Sequence, residues 1–194
     1  MENLLQSAAA LQERLRRAGI ASALIGGVAV GVWGEPRLTR DVDIKVLLSR
    51  DDAKLLLDVL GSDFRPLLPD DPLQCLFRKG ILFVQDDQGT RFDLLLADVI
   101  YDEEAIRRAK ELTLQPGVVA MVCSPEDLIV YKLISTRERD HRDAESVIRR
   151  QGDKLDDEYV LSWLREFEQA LDDSTLVMTY SHMREEWSKR YPEA

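Results

Sequence analysis

The stretch that most constrains this chain is LIGGVAVGVWGEPRLTRDVDIKVLL, residues 24–48. An apolar run, Ala23, Leu24 and Ile25, leads into Gly26-Gly27. A short helix-like segment follows as far as Trp33, then a polar loop, then a strand headed by Asp41 and Asp43. Strand side chains alternate faces, so the two aspartates share a face, about 6.5–7 Å apart along the backbone. Val42, Ile44, Val46 and Leu48 take the opposite, wholly apolar face, which can bury. A third acid, Asp93, lies in a later strand-like run, RFDLLLAD. Acids gathered on one face of a buried strand repel each other unless a cation neutralises them. Two divalent ions about 3.5–4 Å apart suit such a pair, and oxygen-only ligands favour Mg²⁺ or Mn²⁺ over zinc. The glycines let the backbone turn sharply and approach a ligand closely. A helix starting there turns its free N–H groups toward an anion such as phosphate. Taken singly, a Gly-Gly is an ordinary strand-to-helix turn and an Asp-x-Asp is an ordinary solvated strand edge. Their order along this chain is what is specific.

The 194 residues are enough for one domain, or one domain with a helical extension, and for a real core. The formal net charge of −10 argues against a broad basic surface for nucleic acid. Local basic groups remain at Arg78, Lys79, Arg107, Arg108 and Lys110, and at Arg149-Arg150. No apolar run reaches the roughly 18 residues of a membrane span. The opening MENLLQSAAALQERL has no basic head or continuous apolar segment, so a cytoplasmic protein is expected. Cys75 and Cys123 follow no metal spacing and read as buried, reduced thiols. Neither His141 nor His182 has a partner at ligand spacing.

Residues 2–18 place apolar side chains at helical spacing, and Gly19 can cap that helix. Residues 51–60 predict a second helix. The prolines at 66, 69 and 72 predict a loop over 64–72, and residues 73–84 predict one or two strands split near Lys79-Gly80. Asp86-Asp87-Gln88-Gly89 is a hairpin turn signal that sets 81–84 antiparallel to 91–97. In the second of those strands Asp93 shares its face with Arg91 and Leu95. Residues 102–110 read as a surface helix with acids first and bases last. Gln115-Pro116-Gly117 predicts a small hairpin, and Ser124-Pro125 predicts a capped helix start. Residues 156–171 predict an amphipathic helix with Tyr159, Val160, Trp163, Leu164, Phe167 and Leu171 inward, and 174–190 a last helix. The expected fold is α/β (α+β): a mixed sheet with flanking helices over residues 1–123, then a helical region over 124–194 packed on it.

Gly-Gly, then R-x-T-x-D-x-D, then an acid in a later apolar strand resembles the nucleotidyltransferase superfamily, with its DNA polymerase beta-like fold. The carriers are Gly26, Gly27, Arg37, Thr39, Asp41, Asp43 and Asp93. Roughly residues 20–150 are covered, and the nearest branch is the small prokaryotic proteins similar to AbiEii-type abortive-infection toxins. Many members have Gly-Ser where this chain has Gly-Gly, so a serine hydroxyl is replaced by backbone donors alone. The resemblance implies transfer of a nucleotidyl group from a nucleoside triphosphate to an acceptor hydroxyl on RNA, protein or a small molecule. It implies Asp41, Asp43 and Asp93 as catalytic, metal-binding residues for Mg²⁺ or Mn²⁺. It also implies Gly26, Gly27, Arg37, Thr39, Lys132, Asp140 and Asp143 as nucleotide-binding residues. A tRNA acceptor and an antitoxin partner go with that branch. From the residues alone, Arg37 is equally a solvated loop cation and Thr39 a loop-ordering hydroxyl. Lys132, in an apolar helix, either snorkels to water or meets an anion. Asp140 and Asp143 share a helix face, as capping charge or to align Lys132 or Arg139. The rival reading is a nucleotide- or partner-binding module on the same fold without turnover.

Overall fold

Along 41–46 the residues alternate between fully buried and half-buried, the signature of a strand with one face in a core. Among the described residues six more strands join it. The computed structural model describes residues 2–67 and 71–191. In chain order the elements are α1 (Glu2–Arg17), β1 (Ser22–Leu24), α2 (Gly26–Trp33), β2 (Asp41–Val46), α3 (Ala53–Leu60), β3 (Phe64–Pro66), α4 (Pro72–Lys79), β4 (Ile81–Asp86), β5 (Arg91–Leu96) and α5 (Ile100–Arg107). They continue with β6 (Lys110–Gln115), β7 (Val118–Val122), α6 (Pro125–Leu133), α7 (Glu138–Gln151), α8 (Asp157–Leu171) and α9 (Leu176–Arg190). The chain divides into two units. One takes the residues up to Val28 and Leu38–Cys123; the other takes Ala29–Arg37 and the residues from Ser124 on.

The first unit carries the sheet, in the order β3-β4-β5-β2-β1-β7-β6. Strand β2 runs antiparallel to β1 and parallel to β5, and β1 runs parallel to β7, so the sheet is mixed as expected. Val42, Ile44, Val46, Phe92, Leu94 and Leu96 are all buried on one face. Helix α1 packs against β1, β2 and β7, with Ala8, Leu11 and Leu15 buried.

Three local expectations are corrected in this unit. Residues 72–79 are a helix rather than strand. Asp71 caps it by accepting from Leu73 N and Gln74 N, Pro72 opens it, and Gly80 closes it in the left-handed region. Leu73, Leu76 and Phe77 stand at helical spacing, although only Leu76 buries. Phe64–Pro66 pairs with β4 as a short edge strand, where a proline is tolerated, instead of looping. The rest of the expected loop includes residues 68–70, which lie outside the described residues. Helix α5 is not purely a surface element: Tyr101, Asp102, Ala105 and Ile106 are buried.

The second unit holds the end of α2 and helices α6–α9. Ser124 caps α6 as expected, accepting from Asp127 N at 3.1 Å. The segment after α2 is fastened to α7. Arg150 donates to Gly34 O at 2.6 Å, Gln151 to Trp33 O at 2.7 Å, and Glu35 N donates to Ser146 Oγ. A Cβ at Gly34 would overlap that hydroxyl, so glycine permits the approach. Leu171, expected inward, is exposed at the end of α8, while Val160 and Leu164 bury. Among the described residues no helix is long and apolar enough to cross a membrane.

Candidate active site

The first unit gathers the acids. The parallel pairing of β2 with β5 sets Asp43 directly beside Asp93, and Asp41 beside Arg91. No single strand encodes that pairing; it is a matter of register. The Asp93 Oδ1 atom is buried and has no hydrogen-bond partner. Burial, reinforced by the Asp43 and Asp41 carboxylates, pushes Asp93 up to about 6, with Arg91 pulling weakly the other way. Thr39 Oγ1 donates to Asp41, to its backbone oxygen at 3.1 Å and its Oδ1 at 3.2 Å. The hydroxyl therefore orders the loop entering β2 and orients the first aspartate.

The glycine turn closes on the same acids. Ile25 N donates to Asp43 O at 3.0 Å, tying the end of β1 to β2. Gly26 has φ of +59°, and a Cβ there would overlap the Asp43 carboxylate. Only glycine holds both that conformation and that proximity. Gly27 N points at Asp43 Oδ2 from 3.4 Å, too long for a good bond, so the amide is only weakly engaged.

Among the described residues, no three His, Cys, Asp or Glu side chains are already gathered into a metal cage. Even so, the donor set suits a hard divalent ion: two carboxylates in register, one buried oxygen without a partner, and like-charge repulsion that a cation would relieve.

The second unit gathers the other candidates into a buried ion network. Lys132 Nζ lies 2.5 Å from Asp140 Oδ1 and 3.0 Å from Asp143 Oδ2. Arg37 grips Asp143 with two bonds, Nε at 2.9 Å and Nη2 at 2.8 Å. Ser135 Oγ donates to Asp140 Oδ2 at 2.6 Å, and Arg137 pairs with the same oxygen. The Lys132 side chain is only 10% exposed, so it does not snorkel. Burial works against ionising Asp140 and Asp143. The bonds from Lys132 and Ser135 to the first, and from Arg37 and Lys132 to the second, outweigh it and hold both below the usual carboxylate range. Asp140 thus serves Lys132 rather than only the helix end. Each group of candidates is internal to its own unit.

Sequence reasoning missed one charged pair near the acids. Lys45 follows Asp43 on the same face of β2, and its ammonium is 2.6 Å from Asp102 Oδ2 of α5. A lysine continuing an alternating acidic face, D-V-D-I-K, was the available signal.

No family model and no curated protein matches the chain. Solved structures do match, and they define its class: the chain has a nucleotidyltransferase-like fold. One neighbour is an antigenic nucleotidyltransferase-like protein from Paracoccidioides brasiliensis. It is 21% identical over 76% of this chain and 76% of that one, with a TM-score of 0.51. Another is the antibiotic-resistance factor ANT(2'')-Ia. Its solution structure is 13% identical, covers 86% of this chain and 96% of that one, and has a TM-score of 0.53. Its crystal structure in complex with adenylyl-2''-tobramycin is 13% identical, covers 96% and 98%, and has a TM-score of 0.52. At such identities the likeness is one of fold.

Proposed function

We propose that this chain is a metal-dependent nucleotidyltransferase, moving a nucleotidyl group from a nucleoside triphosphate to an acceptor hydroxyl with release of pyrophosphate. The observation that supports it most is the in-register pair Asp43 and Asp93 with the buried, unpartnered Asp93 Oδ1. Asp41, Asp43 and Asp93 hold Mg²⁺ or Mn²⁺. The bound cation supplies charge neutralisation for the phosphates and a more acidic acceptor hydroxyl. Asp93, beside the cation that activates the acceptor, takes the acceptor proton. The Gly26 and Gly27 amides cradle the β- and γ-phosphates. Thr39 orients Asp41 for its ligand role. Arg37 and Lys132 offset the charge of the leaving pyrophosphate, with Asp140 and Asp143 aligning them. Lys132 then has to trade part of its carboxylate bonding for phosphate.

The acceptor we favour is a small hydroxylated molecule. The net charge of −10 repels a polyanion such as tRNA. The complex of ANT(2'')-Ia with adenylyl-2''-tobramycin lends support, because that neighbour has the same fold. The toxin role and an antitoxin partner rest on the motif resemblance alone.

The test is incubation with each α-labelled triphosphate, Mg²⁺ and, separately, tobramycin, total tRNA and total protein. Label on one acceptor, lost in Asp43→Ala, supports the proposal. Absence of transfer alongside intact triphosphate binding returns the chain to the reading of a binding module without turnover.

A further inference from the structure

The sheet face that carries the acids continues past them onto β4 and β3, and the proposed reaction gives that extension no role. Residues directly opposed on neighbouring strands share a face. Asp41 is opposed to Arg91, Arg91 to Gln85 and Gln85 to Arg65, so one row crosses β2, β5, β4 and β3. The next row sets Asp43 beside Asp93 and Asp93 beside Phe83. Arg65 and Arg91 are exposed; Gln85 and Phe83 are half-buried. Arg65 donates to Gln85 Oε1 at 2.8 Å, and among the described residues neither arginine is in an ion pair. In a chain with net charge −10, these two cations are left to an outside anion, although one lies directly beside Asp41. Strands lie about 4.8 Å apart, so the two arginines start about 10 Å apart and can converge on one small anionic group.

The rows also have a direction. In the order β3-β4-β5-β2-β1, the glycine turn leaves β1 and closes on Asp43 from one flank, while Phe83 and the two arginines lie on the other. A triphosphate cradled by Gly26 and Gly27 leaves the β5-β4-β3 flank to the acceptor. The acceptor oxygen bonds the α-phosphorus as the bond to pyrophosphate breaks, and its proton passes to Asp93. Phe83, level with Asp93, offers the rest of that molecule an apolar surface. Arg91 stands two positions from Asp93, about 6.5–7 Å along the strand, roughly the length of one aromatic ring with its substituents.

We propose that this face of β5, β4 and β3 is the acceptor subsite and that the acceptor is a small hydroxylated anion. Its hydroxyl lies at Asp93, a flat apolar body on Phe83, and a carboxylate or phosphate against Arg91 and Arg65. The inference rests on the transferase reading above and narrows its acceptor: the same arginines disfavour a polycation such as tobramycin.

The experiment is calorimetric titration of the full chain saturated with Mg²⁺ and the tightest-binding α,β-methylene analogue of ATP, GTP, CTP and UTP, which cannot transfer. The probes are matched pairs: para-(hydroxymethyl)benzoate against neutral para-benzenedimethanol, and pyridoxine phosphate against neutral pyridoxine. Tobramycin is the cationic control. Wild type is expected to bind at least one anion about tenfold tighter than its neutral counterpart. The pair that shows the preference tells carboxylate from phosphate. Arg91→Gln is expected to remove the preference, Arg91→Lys to keep part of it, and Arg65→Gln to reduce it about threefold. Both arginines are exposed, so thermal melts of the variants are expected to match wild type. Affinity for the triphosphate analogue is expected to stay within about threefold, a split that a general loss of the site does not give. Equal binding of anion and neutral counterpart, or a preference that survives in Arg91→Gln, overturns the inference and leaves the transferase reading standing. So does tobramycin binding tighter than every anion, and so does binding of no probe at all. Failure of every triphosphate analogue to bind with Mg²⁺ overturns the transferase reading and this inference together.

Discussion

At the scale of single residues, Gly26 and Asp93 make the sharpest demands. Gly26→Ala places a Cβ against the Asp43 carboxylate and forces a left-handed alanine. The backbone conformation alone costs about 1–2 kcal/mol. The displaced Asp43 should also weaken Mn²⁺ binding. Urea unfolding and Mn²⁺ titration measure the two effects, and wild-type affinity in the variant would remove Gly26 from the site. Asp93 makes a prediction about pH. Its folded pKa is raised, so its contribution to metal-free stability is fully present below the unfolded value of about 3.9. That contribution is lost as pH rises through about 6. Comparing urea midpoints of wild type and Asp93→Asn between those limits, in chelator, isolates it: the variant should lose the least stability as pH rises. Parallel curves would show that Asp93 is not perturbed. Asp140 and Asp143 have depressed values, so their stabilisation is present above the unfolded carboxylate range and disappears as pH falls through the folded values.

At the scale of elements, helices α6 and α7 are joined by charge as well as by packing. Lys132 comes from α6, Asp140 and Asp143 from α7, and all three are buried. Lys132→Met keeps the apolar stem but leaves the carboxylates short of a cation, although Arg37 still grips Asp143. Breaking a buried pair from one side costs about 3–5 kcal/mol. Denaturant midpoints should show that loss. If Lys132 also meets phosphate, triphosphate affinity should fall much more than nucleoside affinity in whatever fraction remains folded. Equal losses would confine the lysine to structure. The α6 start is a milder case: Ser124→Ala removes a cap hydrogen bond and should cost about 1 kcal/mol.

At the scale of the whole molecule, charge and metal linkage set the expectations. With Mg²⁺ or Mn²⁺ at about 100 times its dissociation constant, binding adds about 2.7 kcal/mol to stability. The melting temperature should rise in wild type and stay level in Asp43→Ala; equal rises would place the cation elsewhere. RNA binding, if any is measured, should be weak and only shallowly salt-dependent, about −0.7 per neutralised phosphate on a single strand. Several of the local cations already have partners: Arg107 holds Glu104, Arg149 holds Glu35, and Arg150 holds the Gly34 carbonyl. A steep slope would mean that these bonds yield readily to phosphate.

The sequence by itself determined whatever depends on near neighbours along the chain. The alternation in D-V-D-I-K-V specified which face of β2 buries, and Asp86–Gly89 specified the β4–β5 hairpin, whose register follows from its turn. Ser124-Pro125 specified a helix start, because a cap needs only residues three apart. Where local signals conflicted, the reading failed: α4 has a cap, a first-turn proline and a glycine stop, but a short apolar run masked them. Only the tertiary structure decided which long-range partners meet. That β2 lies parallel to β5, with Asp43 beside Asp93, depends on strand order and register across fifty residues. That Lys132 is buried, and not snorkelling, depends on α7 delivering two carboxylates to it. That Lys45 faces Asp102 depends on where α5 docks. Charges in a core are tolerated only when their partners arrive from elsewhere in the chain, and no local pattern says which partner that will be.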